Sequence, residues 1–371
     1  MKILIVTSYG TGQGHKSITE ALLSQFKKLA PEGTVTTVMD GFETGNWVAK
    51  VSGKAYNALA VYAPWLWGAM YAFFDAASGL MNKLTAKSIK RGFLERIDKI
   101  KPDVIVSVHA AFVGSIIDIL EKAGKRIPVV VVVADLDNVT SLWRDKRAAA
   151  IICPTEEAAK RILDLGMPEE KVKIASLPVR EKFNSNDAEK RSKNDRPLAL
   201  LISGSQGSKK SRKMIKKLLK SKLCRVRVIT GSNTLLKSAL EIRFFRKLGR
   251  ELEVLGFTTE VDKHMREADF LIARASPNVL MEAVSMEKPV IITETFYGQE
   301  RKNPQFILKH NLGIVCKSLR KLPGAVASLI KNGGQLYNSI TQSQRAFKNS
   351  SSSALICEIA LSIAHDSSKA S

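Results

Sequence analysis

Cysteine is scarce in this sequence, and so is acid. The 371 residues hold four cysteines, at 153, 224, 316 and 357, and no Cys-x-x-Cys pair. That spacing excludes a disulfide frame and a thiolate metal site, and leaves reduced core thiols in a cytosolic protein. No signal peptide is expected, because the first strand begins at residue 2 and its loop follows directly. Asp and Glu number 35 against 58 Lys and Arg, a net charge of +23. Such an excess suits a polyanion, either nucleic acid or an anionic membrane, or else belongs to a solvated basic surface. A hydrophobic content of 45% excludes wholesale disorder, and the length accommodates two domains of ordinary size.

The N-terminus sets the plan. Ile3-Leu4-Ile5-Val6 is an apolar run, Thr7 to Gly14 is small and polar, and Ile18, Ala21, Leu22, Phe26 and Leu29 then recur at helical spacing. Strand, glycine loop and helix in that order open a parallel α/β domain, with backbone N–H groups free at the helix start. The dinucleotide fingerprint Gly-x-Gly-x-x-Gly is broken, since His15 stands where its third glycine belongs. A titratable ring at the carboxyl end of a first strand suits chemistry; a solvated capping histidine is the plain alternative.

Further strands are read at 35–39, 103–108 (ending at His109), 129–133 (ending near Asp135), 149–153 and 171–175. The polar stretch 183–196 reads as a linker. The plan then restarts, with an apolar strand at 198–202, a small-residue loop through Gly204 and Ser205, and a helix rich in lysine. Strands at 226–230, 251–255, 270–273, 290–293 and 313–316 follow, with a helix entered through Ser276-Pro277-Asn278. The expected layout is a first Rossmann-like domain at 1–183, a linker at 184–196, a second such domain at 197–345, and a helix and tail at 346–371 whose return to the first domain stays open. The carboxyl ends of two such sheets are expected to form a cleft binding one substrate each.

One stretch breaks the pattern. Residues 55–74 carry no charge and hold seven aromatics, among them Tyr62, Trp65 and Trp67. Twenty apolar residues can span a bilayer. Pro64, the crowd of aromatics and the position between two strands of one sheet argue against a span. Flanking lysines and polar-edged rings fit a monotopic docking element; a buried aromatic core is the alternative.

Several motifs together resemble the monogalactosyl- and glucosyl-diacylglycerol synthases. These are Gly12-Gln-Gly-His15, Ala63-Pro64-Trp65, the run from Pro102 to His109, Asp135-Leu136 with Trp143 downstream, Leu177-Pro-Val-Arg180, Glu282-Ala283, and Gly298-Gln-Glu300 with Asn303. That group has the GT-B fold and includes the peptidoglycan enzyme that adds N-acetylglucosamine to a lipid-linked precursor. The resemblance implies an α/β protein of two Rossmann-like domains, and inverting transfer of a hexose from a UDP-sugar to diacylglycerol or a glycosyl-diacylglycerol. His15 would be the general base, with Asp135 orienting it or acting as the base itself. Gly204 and Ser205 would lie by the phosphates, with Ser276 and Asn278 at the helix start facing them. Phe257 would lie near the uracil and Glu282 on the ribose, with Gln299, Glu300 and Asn303 on the sugar. Gly14, Tyr62, Trp65, Trp67, His109 and Trp143 would serve the acceptor and the membrane.

The resemblance also implies a peripheral protein on the cytoplasmic face of an anionic membrane, with no cofactor or metal. Basic side chains and helix N–H groups would then neutralise the leaving diphosphate. Ser276-Pro277-Asn278-Val279 departs from the group, which usually has a glycine-rich turn there, and Arg274 stands where lysine is commoner. Three other functions stay in view: a GT-B transferase with a polyprenyl-linked or other lipid acceptor, a non-catalytic relative, and a nucleic-acid binder. The last is disfavoured because the basic run 209–222 contains no aromatic residue to stack on bases.

Overall fold

The computed structural model describes residues 1–10, 13–47, 64–184, 196–203, 209–331, 334–348 and 352–369. The chain divides into two compact units. One holds Met1–Glu181, Tyr297–Lys302 and Asn349–Ser371; the other holds Lys182–Phe296 and Asn303–Lys348.

The first unit is built on six parallel strands, β1 (Lys2–Thr7), β2 (Val35–Asp40), β3 (Val104–Ser107), β4 (Val129–Val132), β5 (Ala150–Cys153) and β6 (Val172–Ile174), in the order β2-β1-β3-β4-β5-β6. The central strands read as unbroken apolar runs because helices cover both faces, and every residue of β3, β4 and β5 is buried. Helix α1 (Gln13–Leu29) buries Ile18, Ala21, Leu22 and Phe26 and ends with Lys27 and Lys28, cations that suit its negative end. Helices α2 (Pro64–Ala76) and α3 (Ser78–Ile100) follow β2, and α4 (Val113–Lys122) joins β3 to β4. Helix α5 (Glu156–Asp164) is capped by Thr155, whose side chain accepts from the Ala158 N–H, with Glu156 and Glu157 in its first turn. The last helix of the chain, Ser352–Lys369, packs on α1, with Ile356, Cys357, Ala360 and Ala364 buried.

The second unit repeats the scheme. Strands β7 (Leu198–Ile202), β8 (Arg225–Ile229), β9 (Leu252–Leu255), β10 (Phe270–Arg274), β11 (Val290–Glu294) and β12 (Gly313–Val315) form a parallel sheet in the order β12-β11-β10-β7-β8-β9. Helix α6 (Lys209–Ser221) joins β7 to β8, and α7 (Thr234–Arg243) joins β8 to β9. Helix α8 (Val261–Glu267) precedes β10, α9 (Pro277–Ser285) follows it, and α10 (Asn303–Lys309) precedes β12. Two more helices, α11 (Leu322–Ile330) and α12 (Gln335–Phe347), complete the unit; α12 is pinned by Gln344, whose amide donates to the carbonyls of Lys288 (2.9 Å) and Leu312 (2.8 Å). The final helix is α13.

Among the described residues no helix is long and apolar enough to cross a membrane. The first half of the uncharged stretch, Tyr62 included, lies outside the described residues, as do Gly204 and Ser205.

Candidate active site

Because β2, β1, β3 and β4 are adjacent and parallel, the residues that follow them share one edge of the sheet. β2 delivers Asp40, β1 the loop to His15, β3 His109, and β4 Asp135. His15 sits in the first turn of α1, next to Gly14. Its Nδ1 lies 2.7 Å from the Val108 carbonyl, so that nitrogen carries the proton and donates. The other nitrogen, Nε2, is therefore the unprotonated one, with its lone pair available. Desolvation outweighs the Val108 hydrogen bond and brings the His15 pKa down to about 4, so the ring is neutral near pH 7.

His109 stacks on His15, ring centroids 4.5 Å apart. Its Nδ1 accepts from the Ala111 N–H (3.2 Å), the opposite tautomer to that of His15. Burial, then the neighbouring His15, hold its pKa well below the ordinary value. Phe42 meets His109 edge-on at 5.6 Å and Phe112 tilts on it at 5.1 Å, so the pair of imidazoles has an aromatic wall. Asp40 is occupied structurally, accepting from the backbone N–H groups of Tyr9 (2.7 Å) and Phe42 (2.9 Å). Ser8, at the end of β1, has a buried hydroxyl with no partner among the described residues.

Asp135 accepts a 2.7 Å hydrogen bond from the buried Trp143 indole. Trp143 is thus a support for the carboxylate. Burial, with a smaller push from Glu300, raises the Asp135 pKa to about 7 despite that bond. Asp135 and Asp137 have an Asp-x-Asp spacing, which the expectation of a metal-free site passed over. Their partners differ, since Asp137 pairs with Lys302 at 3.2 Å. Among the described residues, no three His, Cys, Asp or Glu side chains gather to hold a metal.

The segment Tyr297–Lys302 belongs to this first unit, although it was expected with the second. Asn138 donates to the Gly298 carbonyl (2.7 Å), and the Tyr71 hydroxyl donates to the Asn138 carbonyl (2.7 Å). Gly298 has φ of +94°, and the Tyr71 ring occupies the place a Cβ would take, so only glycine fits. Gln299 accepts from the Trp67 indole at 3.3 Å, and Glu300 is buried. Tyr71 and Asn138 were not expected as site residues; nothing in a linear sequence joins them to a loop whose Gly298 lies 160 positions beyond Asn138.

The uncharged stretch splits by face. Trp67 is 4% exposed and is part of the core, whereas Trp65 is 71% exposed. Of these two tryptophans, only Trp65 is free to enter a membrane. Phe73, Leu80 and Leu84 are also exposed, with Lys83, Lys87, Lys90 and Arg91 open to solvent on α3.

In the second unit, α9 begins beside the carboxyl end of β10. Ser276 is its N-cap without spending its side chain on the cap, and Pro277 is at the first position. Asn278 is half-buried in the first turn and Glu282 is buried. The Arg274 guanidinium lies 3.7 Å over the Phe296 ring. Asn303 donates to the Ala275 carbonyl (2.8 Å) and is fully buried, yet its carbonyl oxygen has no partner among the described residues. Phe257, past β9, is exposed.

Solved structures share this architecture. Acinetobacter baumannii MurG has a TM-score of 0.63 at 13% identity, over 97% of this chain and 99% of that one. The spinosyn rhamnosyltransferase SpnG, solved with spinosyn aglycone, gives 0.64 at 10%, over 97% and 100%. At these identities the likeness is one of fold. Two parallel six-stranded α/β units of this kind are the GT-B fold.

The family follows from the chain itself. Residues 15–179 match the model for monogalactosyldiacylglycerol (MGDG) synthase, and residues 198–355 match the glycosyltransferase family 28 C-terminal domain. The chain belongs to the glycosyltransferases of this MGDG synthase and family 28 type. It is 26% identical over 358 residues to monogalactosyldiacylglycerol synthase 3, chloroplastic, of Arabidopsis thaliana, covering 90% of this chain and 75% of that one. With the Spinacia oleracea synthase the identity is 27% over 350 residues, covering 88% and 65%.

Proposed function

We propose that this protein moves a hexose from a UDP-sugar to diacylglycerol, or to a glycosyl-diacylglycerol, on an anionic membrane surface, with inversion at the anomeric carbon. The observation that carries the proposal is His15. Its Nδ1 proton is committed to Val108, which leaves Nε2 unprotonated near pH 7 to accept the proton of an acceptor hydroxyl. In the reaction, Nε2 takes the proton of the acceptor hydroxyl while that oxygen attacks the anomeric carbon. The bond from that carbon to the diphosphate oxygen breaks on the opposite face, and UDP leaves. The ionised form of Asp135, at the carboxyl end of β4 in the same sheet, would be the partner charge of the imidazolium formed, or the base itself.

The second unit's share is the donor. The N-terminus of α9, through the N–H groups near Asn278, and the Ser276 hydroxyl would bind the diphosphate. Glu282 would take the ribose hydroxyls, Phe257 the uracil edge, and Gly204 and Ser205 the phosphates. The buried oxygen of Asn303 is an acceptor suited to a sugar hydroxyl. In the first unit, Gln299 and Glu300 would hold other sugar hydroxyls near Asp135. Trp65 and the exposed apolar side chains of α2 and α3, beside their lysines, would enter the interface of the cytoplasmic leaflet.

The test is a transfer assay, with diacylglycerol in anionic vesicles and UDP-glucose, UDP-galactose or UDP-N-acetylglucosamine as donor. Glycolipid formation from one donor, lost by roughly 10²–10⁴ in His15→Ala with UDP binding intact, is the expected result. UDP release without glycolipid would overturn the acceptor. Unchanged turnover in His15→Ala would overturn the base.

A further inference from the structure

Helix α7 is apolar on two faces. Leu236 and Leu240 are buried in the core of the second unit, as an amphipathic crossover helix requires. The opposite stripe holds Leu235, Ser238 and Ile242, at steps of three and four, and Phe245 just past the helix end. Leu235 is 83% exposed, Ile242 79% and Phe245 76%. No site described above uses any of them.

The unpaired charge around this stripe is positive, since Glu241 on α7 is taken up by Lys237 at 3.5 Å. Arg243, Arg246 and Arg250 are exposed and meet no carboxylate among the described residues, while Lys247 is paired with Glu251 at 3.1 Å. Strands β7, β8 and β9 are consecutive neighbours and parallel. Right-handed crossovers therefore place α6 and α7 side by side on one face of the sheet. Helix α6 contains no acid, and Arg212, Lys213, Lys216 and Lys220 on it are exposed. Large apolar tips ringed by uncompensated cations mark a contact surface.

We infer that the second unit carries its own lipid-docking face, with Leu235, Ile242 and Phe245 inserted among the acyl chains of an anionic leaflet and the α6 and α7 cations at its headgroups. The inference rests on the membrane reading of the function and adds a second anchor, separate from Trp65. The chemistry selects lipid over the other occupants. Leu235 and Ile242 cannot stack on nucleobases, so a nucleic acid would leave two of the three apolar tips unused. A second copy of this face in a symmetric contact would set like charges against each other.

The test measures co-flotation of the full chain with vesicles of phosphatidylglycerol and phosphatidylcholine over a salt series. Leu235→Ser/Ile242→Ser/Phe245→Ser is expected to weaken binding roughly tenfold or more while UDP affinity and melting temperature hold. Arg243→Gln/Arg246→Gln/Arg250→Gln is expected to flatten the salt dependence. A polarity-sensitive dye on Ile242→Cys should brighten on anionic vesicles and stay dim on phosphatidylcholine alone; the four native thiols are buried and escape the label. Vesicle binding by the wild type that the triple serine variant retains in full, with a dim dye, would overturn this inference and leave the membrane reading standing. Failure of the wild type to bind vesicles would overturn both. A dimer broken by the triple variant, or oligonucleotide binding lost in it with vesicle binding unchanged, would assign the face to another partner and overturn the lipid.

Discussion

Asp135 should set the acid side of the pH profile. Its carboxyl has a pKa of about 7, raised by burial. His15 stays neutral down to about 4. Of these two, only Asp135 changes charge between pH 8 and 5. If the anion supports the His15 imidazolium, kcat/KM should fall about tenfold for each unit below pH 7, as the ionised fraction does. The assay is initial-rate transfer in overlapping buffers from pH 5 to 8. Asp135→Asn should lose most of the turnover and the slope with it.

The same substitution has an opposite effect on stability. A carboxyl whose pKa is raised in the folded state is destabilising when ionised. That penalty is fully present above about pH 7 and fades as the pH falls toward the ordinary value of 3.8. The gap of about three units sets a ceiling on the order of 4 kcal/mol. Asp135→Asn should therefore melt higher than the wild type at pH 8, and the difference should shrink by pH 5. A flat activity profile from pH 8 to 5 would refute the role of the anion. A variant that melts lower than the wild type at pH 8 would refute the desolvation argument beneath it.

Trp65→Ser should leave the melting temperature within the range of ordinary surface changes and weaken vesicle binding, whereas Trp67→Ser should cost about 3 kcal/mol or more in denaturant unfolding. Equal stability losses would show that the two tryptophans are not divided between surface and core. Glu282→Ala should raise the UDP Kd roughly tenfold or more by titration calorimetry, from the loss of a charge-assisted hydrogen bond; an unchanged Kd removes Glu282 from the donor site. Gly41→Ala would drive a Cβ into the Phe112 ring, which packs on His109. Overpacking there should cost about 1–3 kcal/mol and reduce kcat more than UDP affinity; a variant with wild-type kcat would show that the aromatic wall does not position the imidazoles.

The strands were the most legible part of the chain, for a physical reason. A parallel strand covered on both faces has no polar side, so Val129–Val132 and Leu198–Ile202 appear as bare apolar runs between loops. The placement of the candidate residues at strand ends was legible for the same reason. Once the strands are placed, His15, His109 and Asp135 must fall at the carboxyl ends of β1, β3 and β4. Helix α3 is poorly legible in the sequence. Charges such as Lys87, Lys90 and Arg91 lie between its four buried positions and blur the 3.6-residue period.

What the sequence hid is orientation within an element and pairing across long separations. Trp65 and Trp67 are two residues apart on α2, about 200° around the helix, so one faces solvent when the other faces the core. A composition argument weighs them alike, and only a helix with a known inner face separates them. The segment Tyr297–Lys302 shows the second limit. It follows β11 and precedes α10, both elements of the second unit, so chain order assigns it there. Its hydrogen bonds run instead to Trp67, Asn138 and Asp137 of the first unit. The consequence is chemical. With Glu300 near enough to Asp135 to raise its pKa, one ionised carboxylate opposes the other. The loop that would hold the sugar hydroxyls is then also one of the groups that decides when Asp135 is charged.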